Sequence, residues 1–166
     1  FFIKNCIEHS MQLAKYLLEQ ENIKINLLIK QDVEINSFYN ELSHVFLNII
    51  SNSKDALCST IDKNDRIIKI IIHKYKEHVI INMIDNGGGI PDEIIPKIFE
   101  PYYTTKYKSA GTGIGLYMSK QIVEKHMNGT ISYKTVTHKI KDKRNFNCSL
   151  FTIKIPIINE EAIDAK

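Results

Sequence analysis

Apolar positions along this chain switch between two periods, and the switches mark its elements. Over residues 2–20, Ile3, Ile7, Met11, Ala14 and Leu18 recur at helical spacing, with Lys4, Glu8, Lys15 and Glu19 on other faces, which predicts an amphipathic helix. Ile23, Ile25, Leu27 and Ile29 then alternate with Lys24, Asn26 and Lys30, the pattern of a half-buried strand. Gln31-Asp32 turns the chain into a short second strand over 33–38. Across 41–57 the helical stripe returns as Leu42, Val45, Phe46, Ile49 and Ile50. Residues 59–66 read as a polar loop. Two strands follow, 67–75 and 78–84, joined by Lys76-Glu77, with His73 and His78 flanking the turn and facing solvent. Pro91 starts a short helix with Asp92 and Glu93 in its first turn. Residues 98–106 have no regular period, which fits a hinged lid or an ordered surface loop. A helix over 116–126 ends at Met127-Asn128-Gly129. Strands over 131–137 and 149–155 close the chain, joined by a basic, solvated loop at 138–147. Strands in neighbouring pairs with helices between them predict an α+β fold, a layer of helices on one mixed or antiparallel sheet.

Composition adds bounds. At 166 residues the chain suits one domain with a real core, and 43% hydrophobic with 25% charged residues is a globular balance. The tail, 158–166, is weakly acidic and is expected to fray. A net charge of +3, dispersed along the chain, gives no footing for nucleic acid. Cys6, Cys58 and Cys148 lack metal-ligand spacing, and their odd number fits reduced thiols in a cytoplasmic setting. No apolar run is long enough to span a bilayer and no signal peptide is recognised. Because the chain begins at Phe1, a longer parent is expected, and that parent could be membrane-anchored.

Three stretches carry candidate chemistry. In Asp85-Asn86-Gly87-Gly88-Gly89-Ile90-Pro91, Asp85 keeps the face of Val79, Ile81 and Met83. A carboxylate on the core side is costly unless hydrogen-bonded, and the glycines leave bare backbone beside it. Two readings stand: an acceptor at the bottom of a pocket, or a tight turn after a strand. In the 41–57 helix, Glu41, His44, Asn48, Asn52 and Asp55 form a polar stripe beside the apolar one. A solvated face would be served better by Lys and Glu than by Asn, a poor helix former. The alternative is a ligand face, since an amide oxygen can hold Mg²⁺ among waters and phosphates. His9 fits a solvated surface histidine better than a phosphoacceptor. Gly111-Thr112-Gly113-Ile114-Gly115-Leu116 opens the third helix, where free N–H groups suit phosphate. No strand precedes it directly, which disfavours a dinucleotide-binding βαβ unit.

Four stretches in this order resemble the boxes of sensor histidine kinases. Asn48-Ile49-Ile50-Ser51-Asn52-Ser53-Lys54-Asp55-Ala56 resembles the N box. Asp85-Asn86-Gly87-Gly88-Gly89-Ile90 is similar to the first glycine box, and Ile98-Phe99-Glu100-Pro101-Tyr102-Tyr103-Thr104-Thr105-Lys106 to the F box. Gly111-Thr112-Gly113-Ile114-Gly115-Leu116 is similar to the second glycine box. The resemblance implies a catalytic ATP-binding domain over 1–157. Its fold would be the two-layer α/β sandwich, called the Bergerat fold, of gyrase, Hsp90 and MutL ATPases, helices on one face of a mostly antiparallel sheet. It further implies that Asp85 accepts the adenine amino group, a charge-assisted bond. Gly87, Gly89 and Ile90 would line the base, and Ser149 would support it through a water. Asn52 would ligate Mg²⁺ with Asn48 beside the phosphates. Asp55 stands where short-lid, nitrogen-regulator-type kinases often carry Asp. Thr105, Lys106, Gly111, Thr112, Gly113, Ile114, Gly115 and Leu116 would hold the triphosphate, with Asn48 and Lys106 in the catalytic roles. Phe99 would anchor a short ATP lid over about 99–112.

One departure bears on mechanism. Hydrolysing ATPases of this fold carry glutamate four residues before the Mg²⁺ asparagine, whereas Asn48 stands here, and an amide is no general base at neutral pH. The resemblance therefore implies presentation of the γ-phosphate to a histidine on a separate dimerisation and phosphoacceptor domain, with a response regulator downstream. No histidine here has the acceptor's following acidic residue, so the isolated chain is expected to bind Mg-ATP or ADP and not to phosphorylate itself. It is also expected to be monomeric, because in the family dimerisation belongs to helices of the separate domain. Two alternatives are an anti-sigma-type serine kinase, which usually carries glutamate at position 48, and a non-catalytic nucleotide-sensing module.

Overall fold

The computed structural model describes residues 1–104, 111–141 and 144–157. Helix α1 (Ile3–Gln20) leads into strand β1 (Lys24–Ile29), and helix α2 (Tyr39–Thr60) carries the chain over to β2 (Ile67–Tyr75), which lies parallel to β1. Strand β3 (His78–Asp85) returns antiparallel, turning at Lys76-Glu77 with Lys76 at φ 52°. Helix α3 (Gly115–Gln121) continues into a π-helical turn, Ile122–His126. Strands β4 (Thr130–Lys141) and β5 (Arg144–Pro156) complete a five-stranded sheet in the order β1-β2-β3-β5-β4. Only the β1–β2 pair is parallel, so the sheet is mixed and mostly antiparallel, as expected.

The core lies between the helices and one sheet face. Ile3, Ile7, Ala14 and Leu18 of α1 and Leu42, Val45, Phe46, Ile49 and Ile50 of α2 meet Ile68, Ile70 and Ile72 of β2 and Val79, Ile81 and Met83 of β3. Those are the two stripes and the alternating positions that the sequence displays. Small polar residues set the helix spacing: the Ser10 and Ser43 hydroxyls lie 2.9 Å apart where α1 crosses α2. Arg66, 6% exposed, joins both helix ends to β2. Its guanidinium donates to the carbonyls of Ile61, Glu21 and Cys58 and to the Glu21 carboxylate. The cysteines are free. Burial pushes the Cys6 thiol up to about 12, and burial together with the Asp85 charge pushes Cys148 up to about 11, so both stay protonated at neutral pH.

Several boundaries differ from the sequence reading. Residues 33–38 make no sheet strand; one bridge, Phe2 to Glu34, pairs them with the N-terminal arm while Val33 and Ile35 fill the core. Alternation there reports burial against α1 rather than a ladder. Residues 59–60 belong to α2, whose end is tightened by Thr60 Oγ1 donating to the Ala56 carbonyl at 2.7 Å. The helix expected after Pro91 is a turn followed by one 3₁₀ turn, Ile95–Lys97, because Pro96 removes an amide donor and restricts Ile95. The basic loop at 138–147 is largely strand, with His138 paired to Phe146, Lys139 to Asn145 and Lys141 to Arg144. That ribbon runs on beyond the Asp85–Ser149 pair where β3 ends, and Lys139, Arg144, Asn145 and Asn147 are exposed, so its sequence shows no apolar alternation. His73 and His78 are half-buried, and His73 Nδ1 is buried without a hydrogen-bond partner among the described residues. The tail, 158–166, lies outside the described residues. None of the described helices is long and apolar enough to cross a membrane.

Candidate nucleotide site

Asp85 ends β3 on the core face and is 2% exposed, so the cost of desolvating a carboxylate is fully incurred. Three donors offset it. Ser53 Oγ on α2 donates to Oδ2 at 2.7 Å, and the Gly87 amide donates to Oδ1 at 3.0 Å. Ser149, opposite Asp85 in the β3–β5 register, is the third. Burial raises the Asp85 carboxyl above the ordinary aspartate value, and these three bonds only partly oppose it. Asp85 thus makes the turn bond to Gly87 and is also a buried acceptor. A carboxylate offers about four lone-pair sites, so it retains capacity for one more donor.

The turn beyond Asp85 is held from several sides. Asn86, 0% exposed, accepts from the Ile67 amide at 3.0 Å and donates to the Asp65 carbonyl at 2.8 Å. Thr60 Oγ1 also lies 3.0 Å from the Gly87 carbonyl, so its one proton is shared between that oxygen and the Ala56 carbonyl. Gly89 lies against Thr135, whose hydroxyl accepts from the Ile90 amide at 3.2 Å and donates to the Ile90 carbonyl at 2.9 Å. The Tyr133 hydroxyl donates to Ser149 Oγ at 3.3 Å and sits 3.2 Å from Thr135 Oγ1. A line of hydroxyls therefore runs from Asp85 to Ile90.

At the other end, α2 meets α3 through Asn48, whose Nδ2 donates to Ser119 Oγ at 2.9 Å. A Cβ at Gly115 would lie 2.1 Å from Asn48 Oδ1, so only glycine admits the amide against the start of α3. A Cβ at Gly113, where φ is +68°, would meet the Tyr102–Tyr103 backbone at 2.5 Å, which binds the second glycine stretch to the base of the lid segment. Gly111, Ile114 and Leu116 are half-buried and Thr112 is exposed, its Oγ1 accepting from the Ile114 amide at 3.4 Å. Asn52 and Asp55 follow Asn48 along the same face of α2, both half-buried, with Asp55 3.2 Å from Lys54 Nζ. Phe99 packs on the core with Lys120 Nζ 5.5 Å from its ring centre. Thr105, Lys106 and 107–110 of the expected lid lie outside the described residues.

The fold thus brings both glycine stretches against α2: Ser53 touches Asp85 while Asn48 touches the segment opening at Gly115. Hard oxygen donors on α2 beside glycine-lined backbone fit Mg²⁺ and phosphate, and a buried acceptor beside Gly87 fits an amino-bearing base. Sequence reading missed Ser53, Asn86, Ser119, Tyr133 and Thr135. Ser53 was readable, as a hydroxyl on the core side of a helix one residue from Asn52. The others show no periodic signal, because their partners lie far away in sequence.

The chain matches the family described as Histidine kinase-, DNA gyrase B-, and HSP90-like ATPase over residues 39–158. Sporulation kinase A of Bacillus subtilis (strain 168) is 35% identical over 97 residues, 58% of this chain and 15% of that protein. Sensor histidine kinase ZraS of Salmonella typhi is 29% identical over 157 residues, 94% of this chain and 30% of that protein. The chain therefore spans less than a third of these relatives. Among solved structures, the catalytic domain of histidine kinase ThkA superposes with a TM-score of 0.77 at 24% identity, covering 94% of this chain and 93% of that one. Mycobacterial sensor histidine kinase MprB gives 0.75 at 17%, covering 94% and 95%. At such identity the structures speak for the fold, and the family match speaks for kinship: this chain belongs to the histidine kinase-, DNA gyrase B- and HSP90-like ATPase family.

Proposed function

We propose that this chain is the catalytic ATP-binding domain of a sensor histidine kinase, which binds Mg-ATP and gives its γ-phosphate to a histidine on a separate dimerisation and phosphoacceptor domain. The observation that carries the reading is the shared use of α2. One face places Ser53 on the buried Asp85, and the next places Asn48 on the glycine segment at 111–115. A base pocket and a phosphate end on one helix are what a nucleotide spans.

Asp85 accepts the adenine amino group, with Gly87, Gly89, Ile90 and Ser149 around the base. Bound Mg²⁺ would neutralise phosphate charge. Asn52 supplies an amide oxygen to it, and Asp55 lies one turn further along. Lys106 and the backbone at 111–115 hold the phosphates, with Thr112, Ile114 and Leu116 shaping that end and Thr105 and Phe99 setting the lid. Asn48, fixed by Ser119, orients without acting as a base, which favours transfer over hydrolysis. The response regulator, the cytoplasmic setting and the monomeric state of the isolated domain belong to this same reading.

The test is calorimetric titration of Mg-ADP and Mg-ATP, followed by mixing the domain with a histidine-bearing dimerisation domain and radiolabelled ATP. Acid-labile phosphate on that partner, and none on this chain alone, is the expected result. Acid-stable phosphate would point to serine, and binding without transfer to a sensing module.

A further inference from the structure

We propose that Asn86, tied through Asp65 to Arg144, is the positioning residue that sets Asp85 for discriminating an amino-bearing base. The proposal rests on the reading of Asp85 as the adenine acceptor.

The β2–β3 ladder ends with Ile68 opposite Asp85. One residue further, Asn86 leaves the strand, yet its side chain continues the pairing in place of backbone. Oδ1 accepts from the Ile67 amide at 3.0 Å and Nδ2 donates to the Asp65 carbonyl at 2.8 Å, while its own amide donates to the Ile67 carbonyl at 3.4 Å. Burying an amide is tolerated only when both ends are satisfied, and both ends here grip backbone, which allows a single side-chain orientation. The backbone immediately after Asp85 is thereby fixed although it lies outside the ladder.

Asp65, the residue that Asn86 grips, is itself held by β5. Arg144 donates to its two carboxylate oxygens at 2.9 and 3.2 Å, a paired geometry that sets direction as well as distance. Three residues on, the Asn147 carbonyl accepts from the Gly88 amide at 3.1 Å, and then Ser149 faces Asp85. One strand therefore clamps the Asp85 turn from its far side, through Asp65 and Asn86, and from its near side, through Gly88. A site that hydrogen-bonds an amino group rejects an analogue lacking it only while the acceptor is held in place. Loosening the clamp should erode that rejection before it erodes binding as a whole.

The experiment titrates ADP and IDP, in which a keto group replaces the amino group, into the unmodified domain, Asn86→Ala and Arg144→Ala, all with Mg²⁺. Thermal unfolding reports whether each variant is folded. The unmodified domain should prefer ADP by roughly tenfold or more. Asn86→Ala should bring the ratio close to one, and Arg144→Ala, on the surface and expected to fold, should reduce it about threefold. A general loss of stability lowers both affinities and leaves the ratio alone. An unchanged ratio in Arg144→Ala overturns the clamp, whether or not Asn86→Ala folds. Absence of any preference in the unmodified domain would instead remove the Asp85 reading, and this proposal with it.

Discussion

The two glycine stretches differ in how much of the surrounding protein holds them. Around 87–89 the backbone is gripped by Asp85, Thr60, Asn147 and Thr135, and its entry is buried. Around 111–115 no residue is buried: Gly115 lies against the Asn48 amide, Gly113 lies against the Tyr102–Tyr103 backbone, and the Thr112 hydroxyl accepts from the Ile114 amide. A base is flat and always the same shape, so its site gains from being built in advance. A phosphate tail must be admitted, reacted and released, and a more exposed backbone suits that cycle. On the proposed reading, the end that reads the base is the more firmly held of the two.

That contrast can be broken experimentally. Asp85→Asn keeps a carbonyl acceptor but loses the charge and adds a donor, and ADP affinity should fall by about 1–3 kcal/mol in a calorimetric titration. Unchanged tight binding would mean that the prebuilt end is not the base end. Gly115→Ala forces a methyl onto Asn48 and should cost about 1–3 kcal/mol of stability, seen as a lower denaturation midpoint. It should weaken ATP more than adenosine; equal losses would show that the two ends are not separable.

The pH response sharpens the comparison, because Asp85 is raised. Its contribution to stability is fully present below the unfolded aspartate value of 3.8 and is lost as pH rises through the higher folded value. Asp85→Asn removes that slope, so stability measured at a series of pH values should shift in the variant's favour from acid towards neutral. A difference that stays flat with pH would contradict the burial argument. The smallest expected effect is Thr135→Val, which deletes both bonds to Ile90 at a cost of about 1 kcal/mol and should speed hydrogen exchange at the Ile90 amide.

Much of this architecture was legible in sequence. The stripes of α1 and α2 and the alternation in β2 and β3 report burial directly, and Asp85 was placed on the core face by counting in twos. Elements failed to show where periodicity has another cause or none. Val33 and Ile35 alternate because they fill the core beside α1, and the β4–β5 ribbon runs beyond β3 with most of its described residues exposed. At the site, Asn48, Asn52, Asp85 and the glycines stood out because their residue types are costly in those places. Ser119, Tyr133 and Thr135 did not, since a hydroxyl at such a position is ordinary until its distant partner is known. Arg144 fell inside a segment read as a solvated loop, although its guanidinium reaches Asp65.

Arg66 carries a consequence for how the domain comes apart. Its guanidinium holds carbonyls at the ends of both α1 and α2 from the first turn of chain before β2. Neither helix can unravel from its C-terminal end without releasing a cation that no pH in the protein's range will neutralise. The two helices are therefore expected to fray as one unit, and Ser53 and Asn48, both on α2, would lose their places together. Separate fraying of α1 or α2 from its C-terminal end is opposed by a single residue that touches neither glycine stretch.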